Sequence, residues 1–425
     1  MATTLEREHE LDCIAAALDG AEAASGSVLV IEGPAGIGKT RLVADARALA
    51  KLRGFGRLWA VGDELERAMP WAVVRQLVER SIARYRGEVR ERLLDGPAGA
   101  ALAALERAPD EAGAADAALA RTLHALWWVA ADLAADRPLL IAIDDAQWAD
   151  APSLRFLAHL ARRIADLPIV LVVATRPPAA SSGPLAELAA ARDGRRLLPQ
   201  PLSPAATGEL CAREDAAPAP AVLAALHAAS GGNPFLAGQL VAELDARGLA
   251  LDDPATAQAI SGLGPATISR ALLSRLAPDA VRLAAAAAVL GARSDLRFAA
   301  ALARFDTDGL ARAVDALVAG HVLAGDGDEL RFVHPVIREA VLAELGPGQR
   351  AALHAAAAVK LRAAEAPPQR VAAHLAAAPA GTLPEAAGLL REAAAQLLPE
   401  GDAPTAARQL RRAQEEAPGD DAIAA

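Results

Sequence analysis

The chain carries 43 lysine and arginine residues, yet only three of them, Lys39, Lys51 and Lys360, are lysines. Lys39 lies in Gly33-Pro34-Ala35-Gly36-Ile37-Gly38-Lys39-Thr40, which spells G-x-x-x-x-G-K-[ST]. Each residue type in that string has a chemical reason. Glycine lets a backbone curl around phosphate oxygens with no Cβ in the way. The amides of Ala35, Gly36, Ile37, Gly38, Lys39, Thr40 and Arg41, together with the positive end of a helix dipole, would face an anion. Lysine puts a compact point charge on a flexible stem, suited to β and γ phosphates, whereas the planar fork of arginine has a different shape. The Thr40 hydroxyl offers an oxygen to a magnesium ion that keeps most of its water. A site for ATP or ADP with Mg2+ explains why a chain that writes its positive charge as arginine keeps a lysine here.

A second chemical cluster lies about 105 residues on, in RPLLIAIDDAQWADAPSLRFL (137–157). An apolar run closing on paired acids is the pattern of a buried strand that delivers a carboxylate to a metal. Asp144 would hold magnesium through a water, and Asp145 would lie beside the attacking water. The plainer reading of the pair is a turn at a strand end, where aspartate is common. LPIVLVVATRPP (167–178) is another buried strand, ending in Thr175 and Arg176 before two prolines. Charge at the carboxyl end of such a strand sits where open α/β sheets bind ligands, so Arg176 is a candidate sensor of the γ-phosphate.

The elements that must position these residues follow from the pattern. Val28 to Ile31 reads as a buried parallel strand, and Thr40 onward has helical spacing closed by a glycine. Residues 57–64 read as a second strand, followed by a long helical stretch to about 135. Asp150 reads as a helix N-cap with Pro152 in the first turn and a helix over 153–163; residues 195–202 read as a last strand closing the sheet. From Ser203 the texture is short helices with no strand run until about 321. There HVLAGDGDELRFVH (321–334) reads as a hairpin turning over Gly325 to Asp328. Residues 383–421 pair two helices around a Gly-Asp turn, the texture of one tetratricopeptide-like unit. The resulting fold class is an α/β P-loop NTPase core with a mostly parallel sheet, followed by a helical lid, a winged-helix domain and an all-α repeat-like tail. The boundaries are 1–203 for the ATPase domain, 204–261 for the lid, 262–346 for the winged helix and 347–425 for the tail.

Composition excludes several functions. A net charge of −10 argues against a surface built to grip nucleic acid or an anionic membrane. Over 262–346 there are nine arginines, no lysine and ten acidic residues, a net of −1, so direct DNA binding is not expected from the winged helix. Two cysteines, Cys13 and Cys211, make no disulfide framework. The start of the chain lacks an apolar signal core, and LAAAAAVLGA (283–292) is too short to span a membrane. A cytoplasmic location is the expectation.

Taken in order, GPAGIGKT, IDDAQWAD, VVATR, GGNPF and FVHPVIREAV resemble the STAND class of signal-transduction ATPases, specifically the ATPase core of large ATP-binding LuxR-type regulators. LEREHEL (5–11) is similar to that class's "GRExE" start, with Glu6 where the pattern has glycine. The resemblance covers residues 5–345 and implies that Arg7 and Glu8 lie near the adenosine. It implies as well that Pro234 of GGNPF packs on the adenine from the lid. His334 in FVHP takes the place of a histidine that faces the ADP β-phosphate in related proteins; a packed histidine at a helix start is the equal alternative. Proteins of this type continue through a repeat array to a C-terminal helix-turn-helix, and here only the beginning of an array is visible.

The resemblance implies a nucleotide-operated switch. ADP holds the chain closed, an inducer, small molecule or protein, is read by the helical tail, and ATP supports self-association, with slow hydrolysis as the reset. The rival is an ATP-dependent DNA-handling ATPase of the initiator or loader kind. A third possibility is a scaffold that binds ADP permanently.

Overall fold

The computed structural model describes residues 4–84, 99, 105, 115–177, 184–189, 194–212, 217–260, 276–320, 322–326, 328–333, 335–398 and 402–417. The chain forms two compact units. One comprises Glu10–Glu32, Thr40–Leu197 and His354–Ala425; the other comprises Met1–His9, Gly33–Lys39 and Leu198–Leu353.

The first unit is built on a five-stranded parallel sheet of β1 (Ser27–Glu32), β2 (Gly56–Val61), β3 (Leu139–Asp144), β4 (Ile169–Thr175) and β5 (Gly194–Leu197). The strand order is β2-β3-β4-β1-β5. Every residue of β3 and β4 is buried, which is why these strands read as unbroken apolar runs and not as alternation. On one face Leu29, Ile31, Leu140, Val170 and Val172 pack under α1 (Glu8–Glu22) and α2 (Lys39–Leu52). On the other, Val28, Val30, Ile141, Ile143 and Val173 meet α3 (Ala72–Arg84), α4 (Ala115–Asp136), α5 (Ala151–Ala161) and α6 (Pro184–Ala189). Because the strands are parallel and Glu32 pairs with Thr175 while Val61 pairs with Asp144, their carboxyl ends share one edge of the sheet. That edge is where such sheets bind ligands.

Asp150 ties two helices of this unit together. Its carboxylate caps α5 by accepting from Ser153 N at 2.9 Å, and it also accepts from Trp71 N at 2.8 Å and Val73 N at 3.2 Å. Ser153 Oγ accepts from Val74 N at 3.1 Å, so one cap serves the starts of both α5 and α3. Burial pushes the Asp150 carboxyl above its ordinary value, against the pull of the hydrogen bonds from Ser153, Val73 and Trp71. The same unit includes α16 (Pro368–Leu375), α17 (Ala386–Leu397) and α18 (Ala403–Glu416). The last two pack on each other around the cap at Asp402, and Arg412 donates to the carbonyls of Leu375 and Ala378.

The second unit is mainly helical. α7 (Pro204–Cys211), α8 (Pro220–Ser230), α9 (Pro234–Ala246) and α10 (Thr256–Ile260) share a core of Val222, Leu226, Leu240, Leu244 and Ile260. Then come α11 (Pro278–Leu290), α12 (Leu296–Ala303), α13 (Thr307–Ala319) and α14 (Pro335–Glu344), with a three-stranded antiparallel sheet. α15 (Pro347–Ala363) links the units along the chain. Among the described residues, no helix is long and apolar enough to cross a membrane.

Three sequence expectations need correction. Among the described residues, the first strand after Ser203 is β6 (Arg293–Asp295), not a strand near 321; it pairs with β8 (Glu329–Phe332), which also pairs with β7 (Leu323–Asp326). Arg-Ser-Asp has no apolar alternation, so its pairing is set by the partner strand. The hairpin turn is tighter than Gly325 to Asp328, since Gly325 and Asp326 pair with Leu330 and Glu329. β5 ends at Leu197 and not at 202, because Pro199 and Pro201 have no N–H to extend a ladder. Residues 262–275 of the expected winged helix, and His334, lie outside the described residues.

Replacing Asp150 with alanine leaves three buried amides without their acceptor, and a loss of about 3 kcal/mol is expected. Urea unfolding followed by circular dichroism measures it, and a change below about 1 kcal/mol would contradict the double-cap assignment.

Candidate functional site

The glycine loop belongs to the helical unit by its contacts. Gly36 and Gly38 take φ of +83° and +107°, conformations that side chains rarely adopt. A Cβ on Gly36 would stand 2.6 Å from Asn233 Oδ1, so this position is closed to other residues by conformation and by space. Lys39 is buried, and its Nζ donates to the carbonyls of Gly33 at 2.8 Å and Pro34 at 2.9 Å. Asn233 Nδ2 donates to the Ala35 carbonyl at 2.9 Å, and Phe235 N donates to the Gly36 carbonyl at 3.4 Å. Arg7 donates to the Ile37 carbonyl at 3.1 Å. Five successive carbonyls, from Gly33 to Ile37, thus accept from donors supplied by three separate parts of the sequence.

Those donors are themselves held. The Arg7 guanidinium also reaches the carbonyls of Glu6 and Gln200 and is 3% exposed. Glu6 sits at φ +50° and accepts from Ser203 N and Ser203 Oγ, which keeps its carboxyl below the usual range. Asn233 caps α9, accepting at Oδ1 from Phe235 N and Leu236 N, with Pro234 in the first turn.

The sheet unit carries the carboxylates. Asp144 is buried at the end of β3. Asp145 then turns into the left-handed region, φ 49° and ψ 42°, which aspartate tolerates better than most residues. Its amide donates to Asp144 Oδ1 at 3.0 Å. Gln147 Nε2 donates to Asp145 Oδ1 at 2.8 Å, while Arg176 N donates to Gln147 Oε1 at 3.0 Å, so one side-chain amide bridges the ends of β3 and β4. Gly62, at the end of β2, donates to the Asp144 carbonyl; a Cβ there would stand 2.4 Å from the Asp145 carbonyl oxygen.

The structure therefore brings together, within the sheet unit, Asp144, Asp145 and Arg176 on one edge. Thr40 and Arg41 belong to the same unit on α2, Thr40 exposed and Arg41 paired with Asp45 at 3.1 Å. In the helical unit it brings together Arg7, the loop from Gly33 to Lys39 and the turn at Pro234. Glu8 is exposed at the start of α1. Sequence reasoning missed Asn233, Gln147 and Gly62. Asn before Pro in GGNPF is a helix N-cap signal and could have drawn attention to Asn233; the other two act through long-range contacts that leave no local pattern.

Comparison with known proteins bears on the domain type and the fold. Residues 3–173 match the family model of the AAA ATPase domain. An uncharacterised protein of Rhizobium meliloti (strain 1021) is 31% identical over 201 residues, which is 42% of this chain and 19% of that protein. Among solved structures, a signal transduction ATPase with numerous domains (STAND) carrying a tetratricopeptide repeat sensor, from Pyrococcus horikoshii, matches with TM-score 0.57 at 16% identity. That match covers 97% of this chain and 59% of that one. The Aeropyrum pernix ORC1 protein, solved in complex with DNA, has TM-score 0.40 and 14% identity, covering 81% of this chain and 94% of that one. The chain thus spans about a fifth of the Rhizobium protein and three fifths of the Pyrococcus one. The fold is that of a parallel-sheet P-loop ATPase core with many helices.

The Gly62 contact gives a paired test. Gly62→Ala is expected to cost about 2 kcal/mol, because backbone and not a flexible side chain blocks the new methyl. Gly238→Ala, in open space within α9, is expected to stabilise by about 0.5 kcal/mol. Thermal unfolding of both variants checks the contrast; equal shifts would remove the close approach at Asp145.

Proposed function

We propose that the chain is an ATP-binding signal-transduction switch of the STAND kind, from a LuxR-type transcriptional regulator. The observation that carries this reading is the loop at 33–39, whose Ala35, Gly36 and Ile37 carbonyls accept from donors outside the loop while its buried lysine folds back on the carbonyls of Gly33 and Pro34. A peptide plane that turns its carbonyl outward turns its amide inward, which is the arrangement a phosphate needs. Thr40 and Asp144, both in the sheet unit, offer oxygen donors, the set that Mg2+ takes. The ion, when bound, supplies charge neutralisation to the phosphates.

On this reading Asp145 orients the attacking water, Arg176 senses the γ-phosphate, and Arg7, Glu8 and Pro234 serve the adenosine side. Hydrolysis is slow and acts as a reset. The proposed domains are the ATPase core (1–203), the lid (204–261), a winged-helix domain (262–346) and a sensor tail (347–425) that receives an inducer. The tail reading is supported by the paired helices α17 and α18 and by the repeat sensor of the Pyrococcus protein. ADP holds the chain closed and ATP supports self-association, which requires each nucleotide to contact the two states differently. The proposed location is the cytoplasm, with no membrane partner and no direct DNA contact.

The test is direct. Chromatography of the denatured chain is expected to release ADP, and nucleotide-stripped protein is expected to turn over ATP slowly and grow in mass with ATP. Lys39→Ala is expected to abolish nucleotide binding; retained ATP affinity would sink the assignment, and fast, DNA-stimulated turnover would move it to a DNA-handling ATPase. Gln147→Ala frees Asp145 and the β4 exit, so ATP turnover is expected to fall about tenfold with little change in affinity.

A further inference from the structure

We infer that Asn233 is a positioning residue that latches the lid helix to the phosphate loop and makes nucleotide affinity depend on that latch. The inference rests on reading residues 33–40 as a phosphate site.

The side chain is used at both ends. Oδ1 accepts from Phe235 N at 3.1 Å and Leu236 N at 3.2 Å, capping α9, and this fixes which end of the amide is which. Nδ2 is therefore aimed away from the helix, and it donates to the Ala35 carbonyl at 2.9 Å. The amide of Phe235, in the same helix turn, reaches the next carbonyl, that of Gly36. Gly36 has no Cβ because Asn233 occupies the space one would fill. The carbonyls on either side are held by other groups, Gly33 and Pro34 by Lys39 and Ile37 by Arg7. Asn233 and the turn it caps thus supply the outward donors for the middle of the loop.

A capping role alone would be met as well by aspartate or serine, which cap helices about equally. Only a side chain that carries its acceptor and its donor on separate atoms can cap α9 with one and reach the Ala35 carbonyl with the other. Once the donor is lost, the Ala35 carbonyl loses its hold on the lid turn, the peptide plane it shares with the Gly36 amide can rotate, and only the Phe235 bond to Gly36 remains to keep the middle of the loop in place. Binding linkage runs both ways, so a nucleotide that fixes the loop also fixes the lid helix against it.

The experiment measures binding of fluorescent N-methylanthraniloyl-ADP with magnesium to the full chain and to Asn233→Asp, Asn233→Ser and Lys39→Ala. Aspartate keeps the cap but faces Ala35 with a carboxylate at neutral pH, and affinity about tenfold below wild type is expected at pH 8. As pH falls toward about 4, the ordinary range of an aspartate carboxyl, the group gains a proton it can donate to the Ala35 carbonyl, and the deficit is expected to shrink. Serine cannot span the gap, so its deficit is expected to be the same at both pH values. Among the described residues, the side chains of the loop and its donors that carry or can take a charge in this pH range are Lys39, Arg7 and Glu6, and those of the helices packed on α9 are His227 of α8 and Glu209 of α7; the wild type carries the same ones, so its own pH profile is the reference. Wild-type affinity in Asn233→Asp at both pH values overturns the latch. So does a pH-independent loss in Asn233→Asp that tracks a lowered unfolding temperature. If the wild type binds no more tightly than Lys39→Ala, the phosphate reading itself falls and takes the latch with it.

Discussion

The constraint on which the site depends is the direction of five carbonyl groups. A peptide group points its C=O and its N–H opposite ways, and buried backbone groups must find partners. A loop that gathers its amides on one side must have donors on the other. Here Asn233, Phe235 and Arg7 provide them for Ala35 through Ile37, and Lys39 satisfies Gly33 and Pro34 from within the loop. Glycine at 36 and 38 makes the curl possible, but glycine alone would permit many loops. The donors select one.

The segment DDAQWAD shows the same economy on the sheet edge. Asp144 ends the strand and is buried; Asp145 takes a left-handed turn that costs a non-glycine residue about 1 kcal/mol. That turn is held from two directions, by the Gln147 amide and by Gly62, whose missing side chain leaves room for the Asp145 carbonyl. Asp150 closes the segment by capping α5 and accepting two further amides from the start of α3. Seven residues therefore carry a buried carboxylate, a turn, a bridge to β4 and a shared cap. The bridge fixes the exit of β4 at Arg176 relative to Asp145, the two groups to which the proposed reading gives the γ-phosphate and the attacking water.

The sheet core was legible because its signals are local. Apolar runs of strand length ending in Asp144 and Thr175 fit buried parallel strands, and Asp150 followed by Pro152 is a cap followed by a first turn. β6 was not legible, since its three polar residues become a strand only by pairing with β8. The resemblance directs Arg7 toward the adenosine, but no spacing in the sequence shows that its guanidinium donates to the carbonyls of Glu6, Ile37 and Gln200, contacts separated by up to 193 residues. Glu6, where the family pattern has glycine, still takes a positive φ and offsets that strain with hydrogen bonds from Ser203. Contacts of this range leave no spacing to read.

The partition of the chain gives these contacts a consequence. The path leaves the sheet unit between Glu32 and Gly33 and rejoins it between Lys39 and Thr40. The seven residues in between are bonded to the turn at Asn233 that opens α9, the helix read as part of the lid, and to the N-terminal segment at Arg7. A phosphate loop held only by its own sheet and helix could bind a nucleotide without informing anything else. One whose carbonyls are held by a lid helix cannot change its peptide planes without breaking bonds to that helix. On the proposed reading, nucleotide and lid are then coupled through main-chain geometry at Ala35 and Gly36, a coupling that needs no movement of the sheet and no contact between the lid and the phosphates.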